Sequence, residues 1–150
     1  MNWLLSLLHN PFLLTVVIAW ISAQILKVIT HACVYKEFDI KRLWGDGGMP
    51  SAHTATVCSL AAFAAISHGP ESFEFAVCAI MALIVCRDAV GVRMETGKQA
   101  QIINELRSLI ESKETIEIKL KEFVGHTPLQ VFMGALLGIA VAILVSLVLK

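Results

Sequence analysis

The chain has no excess of charge of either sign: twelve lysines and arginines face twelve aspartates and glutamates. A nucleic-acid binder advertises itself through a basic patch, so that class is excluded. Charge of any kind is scarce, at 16% of 150 residues against roughly 25% in soluble domains. Cysteine forms no framework. Cys33, Cys58, Cys78 and Cys86 make no C-x-x-C spacing, and three of them sit inside apolar runs. Zinc ligands cluster at tight spacings, so these read as buried thiols acting as small hydrophobes. No Lys or Arg precedes the first apolar stretch and no small-residue cleavage motif follows it, so a signal peptide is not expected. Long repeats, linkers and low-complexity tracts are absent, and the two halves differ, which leaves an inverted-repeat transporter without support.

What the chain does have is apolar surface. Hydrophobic residues make up 57%, against roughly 45–50% in soluble proteins, and mean hydropathy is +0.74. A disordered chain could not carry this composition. The length matches one domain of ~100–200 residues. We therefore expect residues 1–150 to form a single all-α domain, an integral membrane helical bundle.

A hydrocarbon core of ~30 Å takes ~20 mostly apolar residues per helix. Segments 11–30, 50–67, 72–92 and 128–149 come close, predicting about four transmembrane helices. Residues 1–9 (MNWLLSLLH) read as a short interfacial helix anchored by Trp3. Residues 93–125 are different in kind. Their charges alternate in sign while Ile102, Ile103, Leu106, Leu109, Ile110, Ile116, Leu120 and Phe123 recur near helical spacing. That predicts a water-exposed amphipathic excursion, with two helices meeting around Ser112.

Lys36, Lys41 and Arg42 fall in the loop 32–49, and Arg93, Lys98, Arg107, Lys113, Lys119 and Lys121 in the excursion. The opposite side carries only Lys150. The positive-inside rule places both long loops in the cytoplasm and both termini outside the cell's inner (plasma) membrane. Lys27, His53, Arg87, Asp88, Arg93 and His126 then gather at one face of the bilayer. Ionisable groups in spans are costly, so they mark a functional site by default, although Lys27 and Arg93 also fit simple snorkelling.

The stretch GDGGMPSAHT around Gly48, Ser51 and His53 combines close-approach glycines, a helix start, a hydroxyl and a titratable ring. Helix N-termini offer unpaired N–H groups that suit phosphate. The plain alternative is a Gly-Pro turn capping a helix. Gly125-His126-Thr127-Pro128 repeats the pattern, with Thr127 as N-cap and Pro128 as first helical residue. Two histidines at one anion permit a nucleophile and a general acid. Asp88, Gly91 and Glu95 share a helix face, where two carboxylates could hold Mg²⁺ or pair with Lys27, Arg87 or Lys98; pairing is preferred, and no metal or other cofactor is expected. Lys98 lies within reach of the headgroup plane. Gly134 and Gly138 form a small-xxx-small pattern suited to packing within the bundle or to a homodimer.

In order, the blocks GGMPSAHTA, RDAVGVRMETGKQAQIIN and GHTPLQVFMGALLG resemble the divergent branch of the type 2 phosphatidic acid phosphatase superfamily, often labelled acid phosphatase or vanadium-dependent haloperoxidase-related. The similarity covers about residues 24–138. It implies a helical bundle that dephosphorylates lipid phosphates or diphosphates, isoprenoid or glycerolipid, without a metal. By position, Lys27 resembles the phosphate-holding lysine, Ser51 and His53 the Pro-Ser-x-His block, with His53 as general acid, and His126 the phosphorylated nucleophile. Departures are plain. No Arg-Pro follows Lys27, Ala52 replaces the glycine of Pro-Ser-Gly-His, and Leu120 stands six residues before His126, where the superfamily has its arginine. Arg87 or Arg93 substitutes for that arginine. Gln130 stands where an aspartate would steady the nucleophile; it can orient the ring but not stabilise its cation, a role Asp88 could assume. The alternatives are a lipid-phosphate binding or transport protein on a phosphatase-like frame, and an assembly subunit whose polar residues tie helices together.

Overall fold

The computed structural model describes residues 2–38, 48–110, 120 and 125–149. Among them six helices follow one another, with no strand: α1 (Asn2–Leu8), α2 (Pro11–Tyr35), α3 (Ala52–His68), α4 (Phe73–Val90), α5 (Val92–Ile110) and α6 (Pro128–Val148).

Four of the helices start where a polar side chain can hold the N–H groups that lack intrahelical partners. Asn10 accepts from the backbone N–H of Phe12 and Leu13 at 2.9 and 3.3 Å, with Pro11 opening α2. Ser51 caps α3, Ser72 caps α4, and Thr127 caps α6 ahead of Pro128. Two expected boundaries move. The first span continues past Thr30 to Tyr35: Lys27 is buried within it, and His31 stacks on Tyr35 at 4.7 Å along the same helix. Pro50 is not in the first turn of α3 but one residue ahead of its cap.

Only Gly91 (φ −102°, ψ −96°) separates α4 from α5. Its N–H bonds back to the Arg87 carbonyl at 2.9 Å, closing α4. The excursion therefore begins with a helix that follows α4 after a single non-helical residue. A second helix beyond Ser112, and the cations Lys41, Arg42, Lys113, Lys119 and Lys121, lie outside the described residues.

The interior is built from small side chains. Ala19, Ala23, Ala52, Ala55, Ala64 and Ala142 are buried, while Ile80, Leu83, Leu144 and Leu147 point outward. Lipid tails are as apolar as leucine, so bundles in a bilayer gain from close backbone packing rather than from burying large side chains. The tightest contact is α3 on α6. A Cβ on Gly134 would stand 2.5 Å from the Ser51 carbonyl oxygen, and one on Gly138 2.9 Å from the Ser59 nitrogen. The small-xxx-small pattern is thus used inside the bundle. Helix α3 sits centrally, touching α2, α4 and α6, whereas α4 leans mainly on α3 and α5. Phe12 meets Phe63 edge-on at 5.0 Å and stacks on His68 at 5.5 Å, fixing the start of α2 beside the end of α3.

Among the described residues three helical stretches, Pro11–Tyr35, Phe73–Leu109 and Pro128–Val148, are long and apolar enough to cross a membrane. Helix α3, at 17 residues, is shorter and rich in alanine, serine and threonine.

Candidate active site

The starts of α3 and α6 and the end of α4 meet at one end of the bundle, joined by two backbone hydrogen bonds. The Ser51 N–H donates to the Gln130 carbonyl at 3.0 Å, tying the first turn of α6 to the cap of α3. The His126 N–H donates to the Ala89 carbonyl, also at 3.0 Å. Ala89 lies in the last turn of α4, where carbonyls lack intrahelical partners, so this bond satisfies α4 while fixing His126. Gly125 makes the approach possible. Its φ is +98°, and a Cβ there would stand 2.5 Å from the Met94 nitrogen. Only glycine accepts both constraints.

His126 is 5% exposed, and its ring is oriented by α6 itself. Thr127 and Gln130 form a reciprocal capping box: the Thr127 hydroxyl accepts from the Gln130 N–H at 3.3 Å, and Gln130 Oε1 accepts from the Thr127 N–H at 3.1 Å. A backbone N–H can only donate, so the atom facing it is the amide oxygen. That oxygen also lies 3.2 Å from His126 Nδ1. Nδ1 must then carry the proton, which leaves Nε2 with its lone pair. Burial holds the His126 pKa below the ordinary 6.5. The Gln130 hydrogen bond opposes that shift, and the nearby cations Lys27, His53 and Arg93 reinforce it. The ring is therefore neutral at pH 7, as a nucleophile must be.

His53, on the first turn of α3, places its ring centroid 6.5 Å from that of His126 at an angle of 57°. Both histidines line a cavity of about 230 Å³ with Asp88 and Arg93, walled by Ile84, Val85, Ala89 and Gly125. Asp88 Oδ2 and Arg93 Nε are 2.5 Å apart across the Gly91 break. A second, larger cavity of about 720 Å³ lies between the end of α2 and the start of α6. Lys27 lines it together with Thr30, His31, Gly48, Thr127 and Gln130. The Gly48 backbone lies over the Lys27 stem, its Cβ position 3.8 Å from Cγ. Lys27 is 5% exposed, and its charge is among those that lower the His126 pKa.

The structure gathers His53, Asp88, Arg93 and His126 at one cavity and Lys27, Gly48 and Gln130 at the other. Ser51, Arg87 and Lys98 line neither. Ser51 is fully buried, its hydroxyl accepting from the Thr54 N–H at 3.4 Å and the Thr54 hydroxyl at 3.0 Å as the cap of α3. Arg87 is exposed at the end of α4 and lines neither cavity. Lys98 pairs with Glu95 at 2.7 Å, both exposed. Among the described residues no three His, Cys, Asp or Glu side chains are grouped to hold a metal ion.

Sequence reasoning missed three contributors: the Ala89 carbonyl, the apolar walls Ile84 and Val85, and His31 with Thr30 in the larger cavity. Ile84 and Val85 carried a usable signal, since they stand four and three residues before Asp88 on its helix face. The Ala89 bond carried none, because it joins segments that only the fold brings together.

Comparison with known proteins agrees with the frame. No solved structure matches the chain. An uncharacterized membrane protein of Bacillus subtilis (strain 168), YuiD, is 39% identical over 154 residues, covering 95% of this chain and 98% of that protein. The profile of the divergent PAP2 family matches residues 8–141, nearly the whole helical bundle described above. This integral membrane protein belongs to the divergent PAP2 family.

Proposed function

We propose that the protein hydrolyses a lipid phosphate or diphosphate, isoprenoid or glycerolipid, at the cytoplasmic face of the inner (plasma) membrane, through a histidine nucleophile. The observation that carries this reading is the neutral, Nδ1-protonated His126 beside His53 in a cavity that also holds Arg93. In this account Nε2 of His126 attacks phosphorus while the bond from phosphorus to the lipid oxygen breaks. His53, in its protonated form, gives that oxygen its proton. A water then attacks the phosphohistidine, the now neutral His53 takes the water's proton, and the P–N bond breaks to release phosphate and restore His126. Arg93 and Lys27 neutralise the phosphoryl oxygens, the charge stabilisation that is usually the largest catalytic contribution. Gln130 orients the ring. Ser51 acts by fixing the start of α3, and so the position of His53.

Within the same reading α3 also crosses the bilayer, giving four spans, because it returns alongside α2 to the end where Phe12 meets His68. Both termini are then outside. The proposed reaction uses no metal, a reading supported by the pairing of Asp88 and Glu95 with Arg93 and Lys98. A homodimer remains part of the proposal, but through surfaces other than Gly134 and Gly138, which α3 occupies.

A second reading has its own support. Arg93 is engaged by Asp88, and the group behind His126 is an uncharged amide, so a binding or transport protein without turnover also fits. Phosphate release from a panel of lipid phosphates by the purified protein, with EDTA and Mg²⁺ arms and a His126→Ala control, separates the two. Chelator-resistant release that disappears in His126→Ala supports hydrolysis. Tight binding of one lipid without release supports the second reading.

A further inference from the structure

Helix α5 has its amphipathic faces arranged the wrong way round for a helix in water. Gly97 and Ala100 are buried, and on the same side the Asn104 amide holds the Leu120 backbone in both directions, donating to its carbonyl at 2.9 Å and accepting from its N–H at 3.1 Å. The side that the chain covers thus carries small and polar residues. On the other side Val92, Ile102, Ile103, Leu106 and Leu109 share a face, and all are uncovered, from 51% exposed for Ile103 to 84% for Leu109. A helix that met only water would have turned these five inward.

Where α5 begins says what covers that face. It follows α4 after the single residue Gly91, and the outer residues of α4 (Ile80 and Leu83) are exposed in the manner of a lipid-facing span. The uncovered apolar residues of α5 therefore start at the edge of the bilayer and continue the lipid-facing surface of α4. Lys98 and Arg107 stand on the two flanks of the apolar face, and α5 carries Arg93, Lys98 and Arg107 against Glu95 and Glu105. Cations at the flanks of an apolar helix face suit anionic headgroups, with their stems lying along the acyl boundary.

We propose that α5 lies in the membrane–water boundary, with Val92, Ile102, Ile103, Leu106 and Leu109 in the lipid and Gly97, Ala100 and Asn104 turned toward the returning chain. The excursion is then a membrane-surface device rather than a water-exposed one. It sets the depth of Arg93, which sits on the first turn of α5 and lines the cavity. This inference stands independently of the hydrolytic reading.

Spin labels on the full-length chain, with its four cysteines replaced, test it. Labels at Ile103→Cys, Leu106→Cys and Leu109→Cys are compared with Gln101→Cys and Ser108→Cys in phosphatidylcholine–phosphatidylglycerol vesicles holding fewer than one chain each. The expected result is relaxation by oxygen over a water-soluble nickel chelate at 103, 106 and 109, and the reverse at 101 and 108. Equal nickel access at all five would put α5 in water and overturn the proposal. Exclusion of both agents at 103, 106 and 109 would mean a protein contact and overturn it equally. Should the cysteine-free chain not fold, Leu106→Trp and Gln101→Trp in the native chain are read by brominated-lipid quenching. The added tryptophan at 106 must be quenched more than that at 101; equal quenching contradicts the account.

Discussion

Gln130 Oε1 lies 3.2 Å from His126 Nδ1 while also accepting the Thr127 N–H, so one side-chain oxygen caps α6 and dictates which nitrogen of the histidine is free. A helix cap and the tautomer of His126 are here set by the same side-chain oxygen. Replacing Gln130 by Glu keeps the capping box, for which glutamate is equally suited, and adds the negative charge that stabilises an imidazolium. Gln130→Glu should raise the His126 pKa and increase kcat by about tenfold or more, since removing such a carboxylate elsewhere costs far more than that. Gln130→Ala should lose activity and about 1 kcal/mol of stability through the cap. Steady-state phosphate release together with imidazole titration by NMR checks both.

The depressed pKa of His126 fixes the direction of the acid limb. Nε2 reacts only when unprotonated, so kcat/KM should fall as pH drops through the His126 pKa, and burial with three nearby cations puts that midpoint below 6.5. Lys27→Met removes one of those cations while keeping most of the stem. Its acid midpoint should move upward, toward 6.5, along with the loss of a phosphate-neutralising charge. A pH–rate profile of the two proteins, measured at subsaturating substrate, reads the shift directly.

On the proposed reading a bound phosphate competes with Asp88 for Arg93. Their side chains are 38% and 49% exposed, and pairs in such surroundings contribute about 0–1 kcal/mol. Asp88→Asn should therefore free Arg93 and tighten inorganic phosphate binding up to about fivefold, the equivalent of 1 kcal/mol. Arg93→Ala should weaken it by at least as much. Equilibrium titration of purified protein distinguishes these outcomes from a purely structural pair, for which both variants would bind phosphate as the wild type does.

Backbone contact makes three glycines irreplaceable. Gly134→Ala should cost about 1–3 kcal/mol by overpacking, because its Cβ would meet the Ser51 carbonyl oxygen and push α3 from α6. The Ser51–Gln130 bond lies at that point, so activity should fall with stability. Gly138→Ala, one turn deeper, should destabilise similarly with less effect on turnover. Gly125→Ala combines the positive φ with the Met94 contact and should detach His126 from Ala89. Thermal unfolding in detergent, run beside the activity assay, ranks the three.

Much of this arrangement was legible in the sequence. Thr127-Pro128 announced a helix start through side-chain chemistry that acts within four residues, and the apolar runs announced the long helices, whereas the caps at Asn10 and Ser72 came from the structure. The gathering of Lys27, His53, Asp88, Arg93 and His126 at one end followed from counting residues between spans. Rotation and partnership were not legible. Arg87 and Arg93 could not be told apart because the helical wheel stops at Gly91, whose backbone turn redirects every residue after it. Ser51 read as a phosphate ligand, yet its hydroxyl is spent on Thr54 under α6, a burial that depends on Gly134 three helices later. The amphipathic pattern of α5 was plain, but its uncovered face depends on where the rest of the chain returns, which periodicity cannot say.

The central claim is a covalent one, and rapid quenching of the protein with a ³²P-labelled lipid phosphate tests it most directly. The account predicts an acid-labile, base-stable phosphohistidine that maps to His126, carried on Nε2, and that vanishes in His126→Ala. Phosphate release with no trapped intermediate, or a label on His53 or on Nδ1 of His126, would contradict it.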